Sequence, residues 1–485
     1  MKKIYVQIIF LLILFTSTFF ILSSRWSEQV DYRSIAHIFS LITFERWDNE
    51  GAQHFYYAPV VNYNNPIDMF VDIYPRVFDN KGNNYYLSHP PGSFLLSYSI
   101  IKSFHLPIDQ VSLQKILFIY FVFSIIGIAI LLNILFSKKI IPILVGIFVY
   151  TFHPLILYSF TFYHFAETIG LVFFIWILVF HLLVRKNPNN KLYVFLHNIF
   201  LFIFLLIDWV AFIYAIFYII YSFKKKNRKD ALLIIILTII AYAIIFIQYS
   251  SIDGVQPFMH HIWLRYIDRI GIFSSIFKNN GFGVLLSEIL RLIFNCIHNL
   301  LKGTGILLFL VIIPMIKDKS IFKENHNLNF IFYWVFLPIF LFSILVFSVA
   351  LTHYIYTAKF VLFICLIIAY VFDKYFINIE QKWFQASVLL IFIITITWSL
   401  NIYNQFYEYD PVQLKLDNEA KIFSQKANQS DRCIYILGKN QNPHELVYIT
   451  YKAKRNLMLF YNFDDFNNWY LNNLNIDCYY IISNN

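Results

Sequence analysis

Apolar residues run along this chain in long blocks separated by short polar knots, without the two-residue alternation of a half-buried strand. The blocks fall near residues 4–22, 112–136, 139–158, 166–184, 192–206, 209–223, 231–249, 303–316, 328–350, 356–372 and 385–402. A helix needs roughly 20 apolar residues to cross the ~30 Å hydrocarbon layer, and it satisfies its own backbone there. The pattern therefore predicts an all-α polytopic membrane protein of eleven spans. Residues 192–223 admit one long tilted helix or two short ones. Two spans turning at Asp208-Trp209 keep Arg185 and Lys224 on one side, which the positive-inside bias favours.

Composition sharpens this picture. Hydrophobic residues make up 59% of the chain and charged residues 14%, a balance that excludes a soluble globular protein. The net charge of +10 raises nucleic acid as a partner. The cations, however, sit in knots between apolar blocks and not along one polar face: Lys2-Lys3, Lys138-Lys139, Arg185-Lys186, Lys224 to Lys229, Lys317 to Lys323, Lys374 and Lys382. They read as cytoplasmic loops, so no nucleic-acid partner is expected. The first block is too long for a signal-peptide core and has no small-residue cleavage site, so an uncleaved first span with its N-terminus inside is predicted. Eleven spans then leave the C-terminus outside. Four cysteines (Cys296, Cys365, Cys433, Cys478) form no C-x-x-C pair and carry no argument.

The division expected is a membrane domain over residues 1–402 and a small α/β domain outside over 403–485, where strand-like Cys433 to Leu437 and Tyr479 to Ile482 flank a helical stretch from Pro443. Two loops on the outer side are long, 25–105 and 250–302. In the first, Ile35, Ile38, Phe39 and Ile42 have the spacing of a helix lying on the membrane surface, with Asp31, Arg33 and His37 off that stripe. In the second, His261, Arg265 and Arg269 recur at i, i+4 and i+8 on one helical face.

An acidic residue soon after the first span, a long first loop closing on His89-Pro90-Pro91-Gly92, many spans and an outer tail resemble the GT-C membrane glycosyltransferases. The nearest branch resembles glycosyltransferase family 39, which includes the protein mannosyltransferases and is similar to the lipid A aminoarabinose transferases. The resemblance covers most of residues 1–400 in layout. It implies transfer of a sugar from a polyprenyl-phosphate donor to a glycan, lipid or protein acceptor. The family's first-loop acidic residue matches Asp31, with Asp48 and Glu50 in reserve; the usual Asp-Glu pair is absent at Asp31-Tyr32. The Pro-Pro motif matches His89, Pro90 and Pro91, with Gly92 where many members have a bulky residue. The family's outer acidic site before the fourth span matches His164 or Glu167.

The chemistry asks for the same residue types. A neutral hydroxyl needs a base, for which Asp31 is the candidate. The departing phosphate gains charge, and guanidinium groups such as Arg265 and Arg269 can meet two of its oxygens at once. His353-Tyr354, between the ninth and tenth spans, is a further candidate contact to donor or acceptor. Each residue has a plainer role beside this one. Asp31 caps a helix, the two prolines set a turn, and Arg265 pairs with Asp268. Glu167 suits a helix N-terminus, and His353-Tyr354 anchors at the interface. Asp208 at a hairpin tip is expected in water, and Lys359 is expected to snorkel. Carboxylates at Asp31, Asp48, Glu50 and Glu167 offer oxygen ligands for Mg²⁺ or Mn²⁺, but no calcium-type spacing is present and no metal requirement is expected. The alternatives are a lipid-linked glycan transporter or flippase, which more often shows inverted repeats and midplane charges, and a glycan polymerase or ligase. A bacterial inner membrane is the expected location.

Overall fold

A computed structural model describes residues 2–27, 31, 33–65, 77–136, 139–270, 281–305, 307–308, 326–346, 350, 354–376, 382–406, 411–427, 434–437, 443–460, 464, 467–468 and 480–483. The chain divides into two compact units. One holds residues 1–26, 114–244 and 262–408, and the other holds residues 27–113, 245–261 and 409–485. The tail thus shares a unit with the first long loop.

The helices in chain order are α1 (Lys2–Ser23), α2 (Ile35–Glu50), α3 (Gly92–Ser103), α4 (Gln110–Leu135), α5 (Ile140–Phe152), α6 (Pro154–Ser159), α7 (Phe165–Lys186), α8 (Lys191–Leu205), α9 (Val210–Lys224), α10 (Arg228–Asp253), α11 (Val255–Ile270) and α12 (Gly281–Thr304). They continue with α13 (His326–Leu345), which contains a π-helical turn at Ile331–Phe336, α14 (Ile355–Phe376), α15 (Lys382–Gln405), α16 (Pro411–Ala427) and α17 (Pro443–Ala453). Among the described residues α4, α7, α10, α13 and α14 are long and apolar enough to cross a membrane, and five shorter apolar helices accompany them. The protein is a multi-pass membrane protein. The predicted span 303–316 falls largely outside the described residues, as does the cation knot Lys317 to Lys323.

In the first unit α7 is buried along nearly all its length, from Phe165 to Val184, as expected of a helix that is apolar all round. Trp176 on α7 donates to the Phe123 carbonyl of α4 at 3.1 Å. Residues 192–223 form two helices, not one. His197 on α8 lies against Tyr214 and Tyr218 on α9, so the two helices fold back on each other around Asp208.

In the second unit α2 is not a surface helix. His37, Ser40, Thr43 and Arg46 are buried together with the Ile38, Phe39 and Ile42 stripe. Segments outside the helix satisfy two of these polar positions, Thr43 donating to the Val60 carbonyl at 2.9 Å and Arg46 to the Asn62 carbonyl at 2.5 Å, while Ser40 donates to the Ala36 carbonyl within α2. α2 packs on α17, which also contacts α16. Three short parallel strands, β1 (Ile434–Leu437), β2 (Leu457–Phe460) and β3 (Tyr480–Ser483), pair in the order β2-β1-β3.

Candidate functional site

In the first unit, the charges gather where α7 begins. His164 is the residue before α7, half-buried and 5.5 Å from the Tyr158 ring. Phe165 follows with φ +40°, a conformation that side-chain-bearing residues rarely adopt. Glu167, 6% exposed, lies in the first turn, and Gly170 comes one turn later.

Gly170 faces Asp208. A β-carbon there would come within 2.3 Å of Asp208 Oδ2, so only glycine lets the carboxylate seat against α7. Asp208 Oδ1 accepts from the Val210 amide at 3.0 Å, a side-chain turn two residues long just before α9. Its Oδ2 lies 2.5 Å from Lys359 Nζ, and both side chains are 2% exposed. The Phe342 ring lies 5.2 Å from the same ammonium. Two expectations are corrected here: Asp208 is not in water at the hairpin tip, and Lys359 does not snorkel. The cost of a carboxylate among apolar residues is met by pairing and not by hydration.

In the second unit each candidate carboxylate is turned to a cation of this chain. Asp31 accepts from the Arg33 amide at 2.8 Å, and from Arg33 Nε and Nη2 at 2.9 and 2.6 Å. This fork fixes the direction of the carboxylate through a residue two positions away. Asp48 meets Lys102 at 2.5 Å and the Tyr98 hydroxyl at 3.4 Å, and this ion pair raises the Lys102 pKa. Glu50 pairs with Arg46, which is 3% exposed, also donates to Asn83 Oδ1 at 3.0 Å and lies over the Phe55 ring. His89 is buried and stacks on Tyr86, while its carbonyl accepts from the Tyr249 hydroxyl of α10 at 2.6 Å. Glu45 was not singled out from sequence. It binds Lys454 at 2.6 and 2.8 Å and accepts from the Tyr63 hydroxyl at 3.1 Å. Burial, then the neighbouring Glu45 charge, raises the Tyr63 pKa well above its ordinary value.

His261, Arg265 and Arg269 lie along the single helix α11 at the predicted spacing. Of the sequence candidates, Asp31, Asp48, Glu50, His89 and His261 belong to the second unit, and His164, Glu167, Asp208, Arg265, Arg269 and Tyr354 to the first. Tyr354 opens a 3-10 turn to Thr357, while His353 and the Asp268 side chain lie outside the described residues. Among the described residues no three His, Cys, Asp or Glu side chains converge as a metal site.

The fold is that of the GT-C membrane glycosyltransferases. The chain is similar to the aminoarabinose transferase ArnT from Cupriavidus metallidurans bound to undecaprenyl phosphate, with a TM-score of 0.54 and 11% identity, over 96% of this chain and 89% of that one. It is also similar to the oligosaccharyltransferase AglB from Archaeoglobus fulgidus in complex with an inhibitory peptide and a dolichol-phosphate, with a TM-score of 0.55 and 12% identity, over 94% of this chain. A structure of the Archaeoglobus fulgidus oligosaccharyltransferase with Zn and sulfate gives a TM-score of 0.50 at 14% identity, over 84% of this chain. The chain spans 64% and 58% of the length of these two archaeal proteins. No protein-family model and no curated protein matches the sequence.

Proposed function

We propose that the protein is an integral-membrane glycosyltransferase that moves a sugar from a polyprenyl-phosphate donor to an acceptor hydroxyl. The observation that carries this reading is the likeness to ArnT, a structure bound to undecaprenyl phosphate, over nearly the whole of both chains. In this reading the acceptor oxygen attacks the anomeric carbon, its proton passes to Asp31, and the anomeric carbon–oxygen bond breaks. The polyprenyl phosphate leaves with that electron pair, met by Arg265 and Arg269 of α11. The chain crosses the membrane eleven times with its N-terminus inside, and the tail is an α/β appendage on the outer side.

The test uses the full chain in lipid nanodiscs with a radiolabelled undecaprenyl-phosphate hexose and lipid, glycan and peptide acceptors. Transfer is expected. Asp31→Asn lowers the rate about 10²- to 10⁴-fold, as loss of a general base does, and Arg265→Ala lowers it at normal protein level. Absence of transfer to every acceptor, with substrate movement across liposomes instead, would overturn the proposal in favour of transport.

A further inference from the structure

The surface helix that the sequence suggests at Ile35 to Ile42 is buried, but α12 carries the same pattern and is not. Leu290, Ile293, Phe294 and Ile297 recur at i, i+3, i+4 and i+7 and are all exposed, Phe294 by 68%. Ser287, Arg291, Asn295, His298 and Lys302 fall on the adjoining sector of the same helix, and all but Asn295 are exposed as well. An apolar stripe of four large side chains is unfavourable in water, so something other than water covers it.

The C-terminal end of α12 is rooted among the other helices of its unit. Leu300, Gly303 and Thr304 are buried. A β-carbon at Gly303 would come within 2.3 Å of His153 Nε2, so glycine lets α12 close on the junction of α5 and α6, and the Ser399 hydroxyl of α15 donates to the Gly303 carbonyl at 2.9 Å. That contact fixes the depth of the root. α15 runs from Lys382 to Gln405, and at a rise of about 1.5 Å per residue Ser399 stands about 26 Å along it, near the far edge of a ~30 Å hydrocarbon layer. Trp398, the neighbour of Ser399, is 54% exposed, as suits tryptophan at the level of lipid headgroups. α12 therefore meets α15 close to a face of the bilayer.

We propose that α12 lies in the membrane interface and that a phospholipid surface covers its apolar face. Leu290, Ile293, Phe294 and Ile297 enter the acyl region, and the exposed cations Arg291 and Lys302 beside them reach the lipid phosphates. A course across the membrane is excluded, because the sector of Arg291, Asn295, His298 and Lys302 would then stand in hydrocarbon. Lipid is favoured over a protein partner on two grounds. The bilayer already surrounds the helices on which α12 is rooted, and cations border its apolar stripe as phosphates border acyl chains. The assignment holds whether or not the chain transfers a sugar.

The test places a spin label, carried by an unnatural amino acid so that the native cysteines stay, singly at Leu290, Phe294 and Ile297 and singly at Arg291, Asn295 and His298. The full chain is held in nanodiscs of phosphatidylcholine and phosphatidylglycerol. Power saturation then reads collisions with oxygen, which concentrates among acyl chains, and with a water-soluble nickel chelate. The oxygen-to-nickel ratio should be several times higher at the first three sites than at the second three, alternating with the helical period. Equal nickel access on both faces would put α12 in water. Low access to both reagents at Leu290, Phe294 and Ile297 would put protein over the stripe, a second copy of the chain included. Either result overturns the proposal.

Discussion

Asp208 and Lys359 are 2% exposed and 2.5 Å apart, so neither charge has water to fall back on. Removing one partner strands the other, which typically costs about 3–5 kcal/mol, whereas replacing both by apolar groups of similar volume is often nearly neutral. Asp208→Leu and Lys359→Met should each lower the thermal midpoint sharply, and the double variant should recover most of the loss. A double-mutant cycle by thermal unfolding in detergent measures this, and additive losses would contradict the pairing. Gly170→Ala should resemble Asp208→Leu, because its methyl group would overlap the carboxylate. Both charges were legible in the sequence as polar residues among apolar runs, but the pairing was not. The partners lie on different helices, and no spacing rule links them.

At the scale of elements, the apolar runs announced the helices well, because a bilayer-length helix needs no partner to be recognisable. α2 was less legible. Its apolar stripe was visible, yet the partners that allow Thr43 and Arg46 to be buried come from segments beyond any helical period. The same is true of the seam between α2 and α17, where Glu45, Tyr63 and Lys454 meet and Asn456 bonds the Tyr63 backbone on both sides at 2.8 Å. That seam makes a pH prediction. Tyr63 has its pKa raised by burial and then by Glu45; Tyr448, on α17, is raised by burial and then by its hydrogen bond to Asp417. Below the ordinary tyrosine pKa of about 10 the phenols are protonated in both folded and unfolded chains, and their contribution is fully present. Above it the unfolded chain releases protons that the folded chain retains, so stability falls by up to about 1.4 kcal/mol per pH unit for each such tyrosine. Melting followed by circular dichroism should be flat from pH 7 to about 9 and decline above about 10, less steeply in Tyr63→Phe. An undiminished slope in that variant would refute the assignment.

For the whole molecule, the positive-inside bias of the cation knots predicts which loops face the cytoplasm, and that prediction can be tested directly. Single cysteines introduced at Lys186 and Lys225 in a Cys-free variant should react with a membrane-impermeant maleimide only after cells are opened, and one at Lys421 on α16 should react in intact cells. Labelling of all three from the same side would contradict the eleven-span arrangement. The candidate site was legible here only as residue types: the sequence pointed to Asp31 and to the arginines of α11, but not to the Arg33 fork that orients Asp31, nor to Lys359 as a buried charge.

The second unit is assembled from three stretches of chain, residues 27–113, 245–261 and 409–485. Glu45 and Lys454, which close its seam, are separated by 409 positions. At a synthesis rate of about 5–20 residues per second, α2 waits roughly 20 to 80 s for the helix that covers it. During that interval Thr43 and Arg46 already have the Val60 and Asn62 carbonyls within reach, and only the face of α2 that carries Glu45 waits for Lys454, so the first loop can take its own shape well before the tail closes the seam.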